Sequence, residues 1–318
     1  MNTRRTFLKT TAQLSIGSLF LTHLAACKSG DKKVAEATME EIKKQLTIAA
    51  DAPYKMDYLR GDIGYFTERG GTIGWMAGED GMVVVDTQFP DQSKNLVGEL
   101  QKLSSNKMDL LINTHHHGDH TAGNPVYAEL TDRILAHENS KANQMRVAEA
   151  NNQEGQVFPT ETFAETHTEK IGKETISLNY WGPAHTDGDA VTHFQNANVV
   201  HMGDLVFNRR FPYIDKSSGA SISNWIQVLD KTTSAFDNET IFIFGHAGEN
   251  HDIIGEKEDI NAFKNYLERL LEFGKTSIAE GKTLDDLKAN VKVIPGAEEW
   301  TGGGIERSLD AVYMELKG

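Results

Sequence analysis

Residues 114–120 read Thr-His-His-His-Gly-Asp-His and stand directly behind the apolar run Leu110-Leu111-Ile112. A short apolar run bounded by polar residues reads as a buried strand. The cluster is therefore expected at a strand exit, where an α/β sheet carries its chemistry. Neutral imidazole nitrogen and carboxylate oxygen are the ligands zinc takes when no thiolate is offered. In extended backbone His115 and His117 project to the same side, so two imidazoles can take neighbouring corners of one tetrahedron. Gly118 permits a sharp turn, after which Asp119 and His120 can address a second centre. A solvated His-rich tract is the competing interpretation.

Three further residues weigh against that interpretation. His185 follows a strand in Gly182-Pro183-Ala184-His185. Asp204 follows Val199-Val200, and His246 follows the run Ile241 to Phe244. Each is a polar residue at the exit of an apolar run, beside a small residue. One such histidine would be read as structural, but four exits delivering metal-ligand types point to a metal site.

The pattern His115-x-His117-x-Asp119-His120 resembles the hallmark of the metallo-β-lactamase superfamily, and the resemblance runs from about Asp57 to about His246. It implies an αβ/βα four-layer sandwich with metals at the sheet edge between the halves. By resemblance His115, His117 and His185 bind a first zinc, Asp119, His120 and His246 bind a second, and Asp204 bridges them. Asp86 matches the family's aspartate that orients the His-rich loop, and His116 is expected to point away. Diiron oxygen-reducing relatives carry a carboxylate where His117 stands. Subclass B1 β-lactamases carry cysteine at the position of Asp204, and subclass B3 enzymes lack the bridging aspartate. The ligand set is similar to that of glyoxalase II and the lactonases, although lactonases tend to have tyrosine where Phe207 stands.

The activity implied is hydrolysis of a small ester, thioester, lactone or lactam. Two zinc ions lower the pKa of a bridging water, and the resulting hydroxide attacks the carbonyl. Asp119 orients it and shuttles its proton. The rival readings are a β-lactamase proper and a mono-iron oxidoreductase similar to the persulfide dioxygenases. Candidate substrate contacts are Arg209 and Arg210, which can grip a carboxylate, and Tyr213, with Phe207 and Phe211 at the mouth. His137, His167, His193, His201 and His251 have no partner pattern. A small-molecule substrate is expected. A formal charge of −14 repels polyanions, which excludes nucleic acid as a partner.

Residues 1–27 read as a targeting segment: Thr3-Arg4-Arg5-Thr6-Phe7-Leu8-Lys9 is a twin-arginine pattern, followed by an apolar stretch from Leu14 to Ala26. Leu24-Ala25-Ala26-Cys27 resembles a lipobox, which implies lipidation of Cys27, export to the periplasmic side and attachment to the membrane through a lipid anchor only. Cys27 is the single cysteine, so the chain can form no internal disulfide and carries no catalytic thiolate in its body. Residues 28–54 read as a polar tether, and 55–318 as the catalytic domain.

Within that domain, Ile63–Glu68 and Thr72–Ala77 flank Arg69-Gly70-Gly71 as a hairpin. Met82–Val85, Ile134–Ala136, Ile176–Tyr180, Val199-Val200 and Ile241–Phe244 read as strands. Helices are expected over 92–104, 138–150, from Ser221, across the stripe Ile260, Phe263, Leu267, Leu270 and Leu271 closed by Gly274, and over 305–316. Residues 159–170 read as a loop or edge strand. The alternation of strands and helices predicts an α/β sheet sandwich covered by helices on both outer faces.

Overall fold

The computed structural model describes residues 52–79 and 81–318. The targeting segment, Cys27 and most of the tether lie outside the described residues. Residues Asp51–Gly318 form one compact unit.

Two sheets face each other. The first has seven strands in chain order: β1 (Lys55–Arg60), β2 (Ile63–Thr67), β3 (Ile73–Gly78), β4 (Gly81–Val85), β5 (Leu110–Asn113), β6 (Ile134–His137) and β7 (Glu161–Phe163). β1 to β4 pair antiparallel and β4 to β7 pair parallel. The second sheet contains β8 (Thr166–Ile171), β9 (Glu174–Asn179), β10 (Val191–Phe194), β11 (Val199–His201), β13 (Ile241–Ile243) and β15 (Ile254–Gly255), in the order β15-β13-β11-β10-β9-β8, and β12 (Phe207–Asn208) pairs separately with β14 (His246–Ala247). There β11 and β13 are the parallel pair. Parallel neighbours end at the same edge. Asp86 after β4 is thus brought beside the His cluster after β5, and Asp204 after β11 beside His246 after β13.

The period-2 alternation of strand side chains sorts the apolar residues into layers. Val83, Val85, Ile112 and Leu135 meet Ile176, Leu178, Phe194, Val199 and Ile243 between the sheets. Their neighbours Val84, Leu111 and Ile134 face outward onto Leu96 and Leu100 of the helix Pro90–Leu103. On the far side Val200 and Phe242 pack under the helices Ile222–Ala235, Lys257–Ala279 and Ile305–Lys317. The order helix, sheet, sheet, helix is the four-layer arrangement expected.

Several elements differ from the sequence reading. β1, β10 and the helix Leu284–Asn290 were not expected. β1 is only partly buried and alternates charged residues, so it lacks an apolar run. Residues 159–170 supply β7 and β8, the edge strands of opposite sheets. Gly274 does not end its helix, which continues to Ala279. A Cβ there would lie 2.8 Å from Val312 Cγ2 and 2.9 Å from Leu316 Cδ1. The glycine serves the close approach of the last helix, not a cap.

Candidate metal centre

The His-rich loop leaves β5 and enters a short helical turn, Gly118–Thr121. Its imidazoles meet residues from three other chain segments. His117 Nδ1 lies 3.1 Å from His115 Nε2 and 2.9 Å from His185 Nε2. Asp204 Oδ2 stands 3.5 Å from His185 Nε2 and 3.9 Å from His115 Nε2. Four donor atoms thus face one point, with spacings near the roughly 3.3 Å edge of a tetrahedron with metal–nitrogen bonds of about 2.0 Å. A second group adjoins it. His246 Nε2 is 3.2 Å from Asp119 Oδ2 and 3.4 Å from Asp204 Oδ2, while His120 Nε2 is 3.1 Å from Asp204 Oδ1. The seven residues singled out by the sequence thus form two adjoining groups that could each hold a metal ion, with Asp204 between them.

The tautomers follow from the outer hydrogen bonds. Thr114 Oγ1 donates its single proton to Asp86 Oδ2 (2.7 Å) and so accepts from His115 Nδ1 (3.0 Å). His120 Nδ1 donates to the same Asp86 oxygen (2.7 Å), and His185 Nδ1 donates to the Tyr213 carbonyl (2.7 Å). His117 Nε2 donates to Asp215 Oδ2 (3.0 Å). The inward-facing nitrogens of His115, His117 and His185 are therefore left with a free lone pair. Asp86, fully buried and at φ 66°, also accepts from the Thr114 amide, so one carboxylate orients a histidine of each group.

The donor set and its charges fit a cation. Burial and the neighbouring imidazoles push His115 well below its ordinary pKa, and burial takes His185 down to about 3. Neutral imidazole is the form that binds metal. Burial also opposes charge on His120, yet Asp204, Asp86 and Asp119 outweigh it and hold that ring well above its ordinary value. The carboxylates therefore create a strongly negative field inside the protein. His120 Nε2 and Asp204 Oδ1 are both buried, stand 3.1 Å apart and have no other hydrogen-bond partner among the described residues. Both atoms address a common point.

Other sequence candidates are placed as follows. His116 points away from both groups, with Nε2 3.2 Å from Ser218 Oγ and 3.5 Å from Asp215 Oδ2. Arg209 is not among the residues that line the cavity at the centre. It is spent on Asp259 (2.7 Å) and Glu299 (3.0 Å), and its guanidinium lies over Trp300. Arg210, Phe207, Phe211 and Tyr213 do line a cavity of about 300 Å³ above the centre. Phe207 stacks on His246 with centroids 5.3 Å apart. His201 is buried and bonded to the Thr72 carbonyl, a structural role.

Two residues escaped the sequence reading. Asp215 grips His117. Burial opposes its charge, but hydrogen bonds from His116, His117, Ser217 and Ser218 hold its carboxyl well below the usual range. It lies outside any apolar run, so no pattern flagged it. Arg307, on the last helix, also lines the cavity.

Comparison with known proteins agrees with this geometry. Residues 66–246 match the family model described as the Metallo-beta-lactamase superfamily. The metallo-beta-lactamase type 2 of Elizabethkingia meningoseptica is 24% identical over 176 residues, 52% of this chain and 64% of that protein. The 2,4-dinitroanisole O-demethylase subunit alpha of Nocardioides sp. (strain JS1661) is 32% identical over 133 residues, 41% of this chain and 39% of that protein. The chain thus spans less than two thirds of either relative. Among solved structures, the metallo-beta-lactamase from Pontibacter korlensis superposes with a TM-score of 0.55 at 15% identity, covering 68% of this chain and 99% of that one. The sec-alkylsulfatase Pisa1 from Pseudomonas sp. gives 0.64 at 14% identity, covering 83% and 50%. At such identities the structures speak for the fold alone, whereas the family match spans more than half the chain and takes in all seven converging residues; the protein belongs to the metallo-beta-lactamase superfamily.

Proposed function

We propose that the protein is a two-zinc hydrolase that opens a small ester, thioester, lactone or lactam. The observation that carries this reading is Asp204, whose carboxylate stands between two sets of donors and within 4 Å of a histidine nitrogen from each. His115, His117, His185, Asp119, His120, His246 and Asp204 would hold two divalent ions, which would activate water near neutral pH and polarise the carbonyl. The chain supplies the rest. Asp119, whose side chain is 31% exposed beside the cavity, is placed to orient the attacking water and carry its proton to the leaving atom. Water oxygen joins the carbonyl carbon, the C–O, C–S or C–N bond breaks, and the leaving atom takes the proton. His117, fixed by Asp215, and His120, fixed by Asp86, keep the site rigid through turnover.

The ligand set is of the glyoxalase II and lactonase type. The names of the β-lactamase relatives favour lactam hydrolysis as a second reading. Turnover of a chromogenic cephalosporin well above the rate with free zinc would favour that second reading. One iron per chain without zinc would replace both by a mono-iron oxidoreductase. The decisive experiment combines metal analysis with a panel of esters, thioesters, lactones and β-lactams. Stripping with a chelator is expected to abolish hydrolysis, and zinc to restore it. At metal a thousandfold above its dissociation constant the stabilisation lost is about 4 kcal/mol, which lowers the melting temperature by roughly 10 °C. A protein whose turnover and melting are indifferent to the chelator does not use this site.

The twin-arginine pattern and the Leu24-Ala25-Ala26-Cys27 stretch support export to the periplasmic side with a lipid on Cys27. Cys27→Ala is expected to shift the protein from the membrane fraction to the soluble one. An unchanged distribution would refute the anchor. A small-molecule substrate and no nucleic-acid partner complete the proposal.

A further inference from the structure

We infer that the substrate carries an oxyanion several bonds away from the bond that breaks, and that Arg307 and Arg210 hold it at the cavity mouth. This deepens, and rests on, the hydrolase reading above.

The chain is acidic, with 46 Asp and Glu against 32 Lys and Arg. Three of its described guanidiniums pair with carboxylates, while Arg60 and Arg146 donate to carbonyl, amide and hydroxyl oxygens and Arg69 lies over Phe89. Arg133 pairs with Glu161 and Glu169, Arg209 with Asp259 and Glu299, and Arg269 with Glu272. Arg210 and Arg307 line the cavity above the metal centre and have no acidic partner among the described residues. Their placement is built into the backbone. Arg210 pairs with Thr301 in a short parallel bridge, which ties it to the turn preceding Arg307. Within that turn Gly304 has φ +108°, and a Cβ there would come within 2.6 Å of Arg307 Nη2. Absence of a side chain at 304 is what leaves room for the guanidinium.

From there the path to the metals is short. Arg307 Cζ lies 5.7 Å from the Tyr213 ring centroid, and that ring lies 5.3 Å from the ring of His117. Tyr213 also fixes His185 through its carbonyl. A ligand reaching from the metals to Arg307 therefore passes along the Tyr213 ring, and a spacer of a few carbon atoms spans the gap. A forked guanidinium binds carboxylate, sulfonate and phosphonate alike, so the recognised chemistry is an oxyanion.

Calorimetric titration of the zinc-loaded protein with glutarate and with pentanoate, which has the same chain length and no scissile bond, tests this apart from catalysis. One carboxylate serves the metal end in both probes, and only glutarate offers a second. Wild type is expected to prefer glutarate by roughly tenfold. Arg307→Ala and Arg210→Ala should each reduce that ratio several-fold, while Arg209→Ala, outside the cavity, leaves it unchanged. The sulfonate and phosphonate analogues of glutarate, run in parallel, identify which oxyanion fits best. No preference in wild type, no measurable glutarate binding, a ratio untouched in both cavity variants, or an equal loss in Arg209→Ala overturns the inference. Failure of the hydrolase reading shows elsewhere, as absent metal or a silent substrate panel.

Discussion

Replacing Asp204 with alanine is expected to remove both metals together and to lower kcat/KM by on the order of a thousandfold or more. The reason is geometric. Oδ2 of this one carboxylate approaches His185, His115 and His246, while Oδ1 approaches His120. His117→Ala, by contrast, removes a nitrogen from the first group only. It should abolish turnover while leaving about one metal per chain, held by Asp119, His120, His246 and Asp204. Asp86→Ala touches neither group directly but frees His115, through Thr114, and His120 from their fixed orientations. A loss of about 10–100-fold in metal affinity is expected there. Elemental analysis of each variant after gel filtration, beside its hydrolysis rate, gives the ranking. An Asp204→Ala protein that keeps two metals would refute the bridging assignment, and one that keeps wild-type turnover would refute the site.

The sequence exposed most of this centre because the His cluster, Asp204 and His246 each stand just past a strand whose apolar run announces it, whereas His185 lies in the loop between β9 and β10. Leu110–Ile112, Val199-Val200 and Phe242–Phe244 are buried on both sheet faces, and such runs survive any ambiguity of register. What lay beyond reach was whatever depends on chain segments meeting across the fold. Asp215 sits in an irregular loop, and only its contact with His117 gives it meaning. Arg209 and Arg210 are equivalent in sequence, yet a backbone at φ 54° turns Arg209 toward Asp259 while Arg210 lines the cavity. Arg307 is 103 positions from Asp204 and joins the cavity only because the last helix folds back over Gly274. Strands such as β1 and β10 were hidden for a different reason. Lys-Met-Asp-Tyr-Leu-Arg and Val-Thr-His-Phe carry too few apolar residues for a run, and it is pairing with neighbours that makes them strands.

Trp225→Ala is expected to destabilise the protein by about 3–5 kcal/mol. The ring is fully buried in the core beneath the outer helices, 5.3 Å from Phe263 and 6.4 Å from Phe207 by centroids. Its Nε1 donates to the carbonyl of Leu205, the residue after Asp204, and its ring stands 5.7 Å from that of His185. Loss of the indole thus opens a cavity, strands a buried carbonyl and unseats two ligand-bearing segments at once. The free energy has two parts that a second variant separates. Trp225→Phe restores most of the packing but not the hydrogen bond, so it should recover all but about 1–2 kcal/mol. Urea unfolding should show a lower midpoint with the slope unchanged, as expected when the native state alone is weakened. Because the lost contacts support Asp204 and His185, metal affinity should fall with stability, and added zinc should raise the variant's midpoint less than wild type's, widening the gap between them. A midpoint shift in Trp225→Ala no larger than that of a surface substitution, or an intact metal affinity beside a large shift, would show that the centre stands independently of the core beneath it.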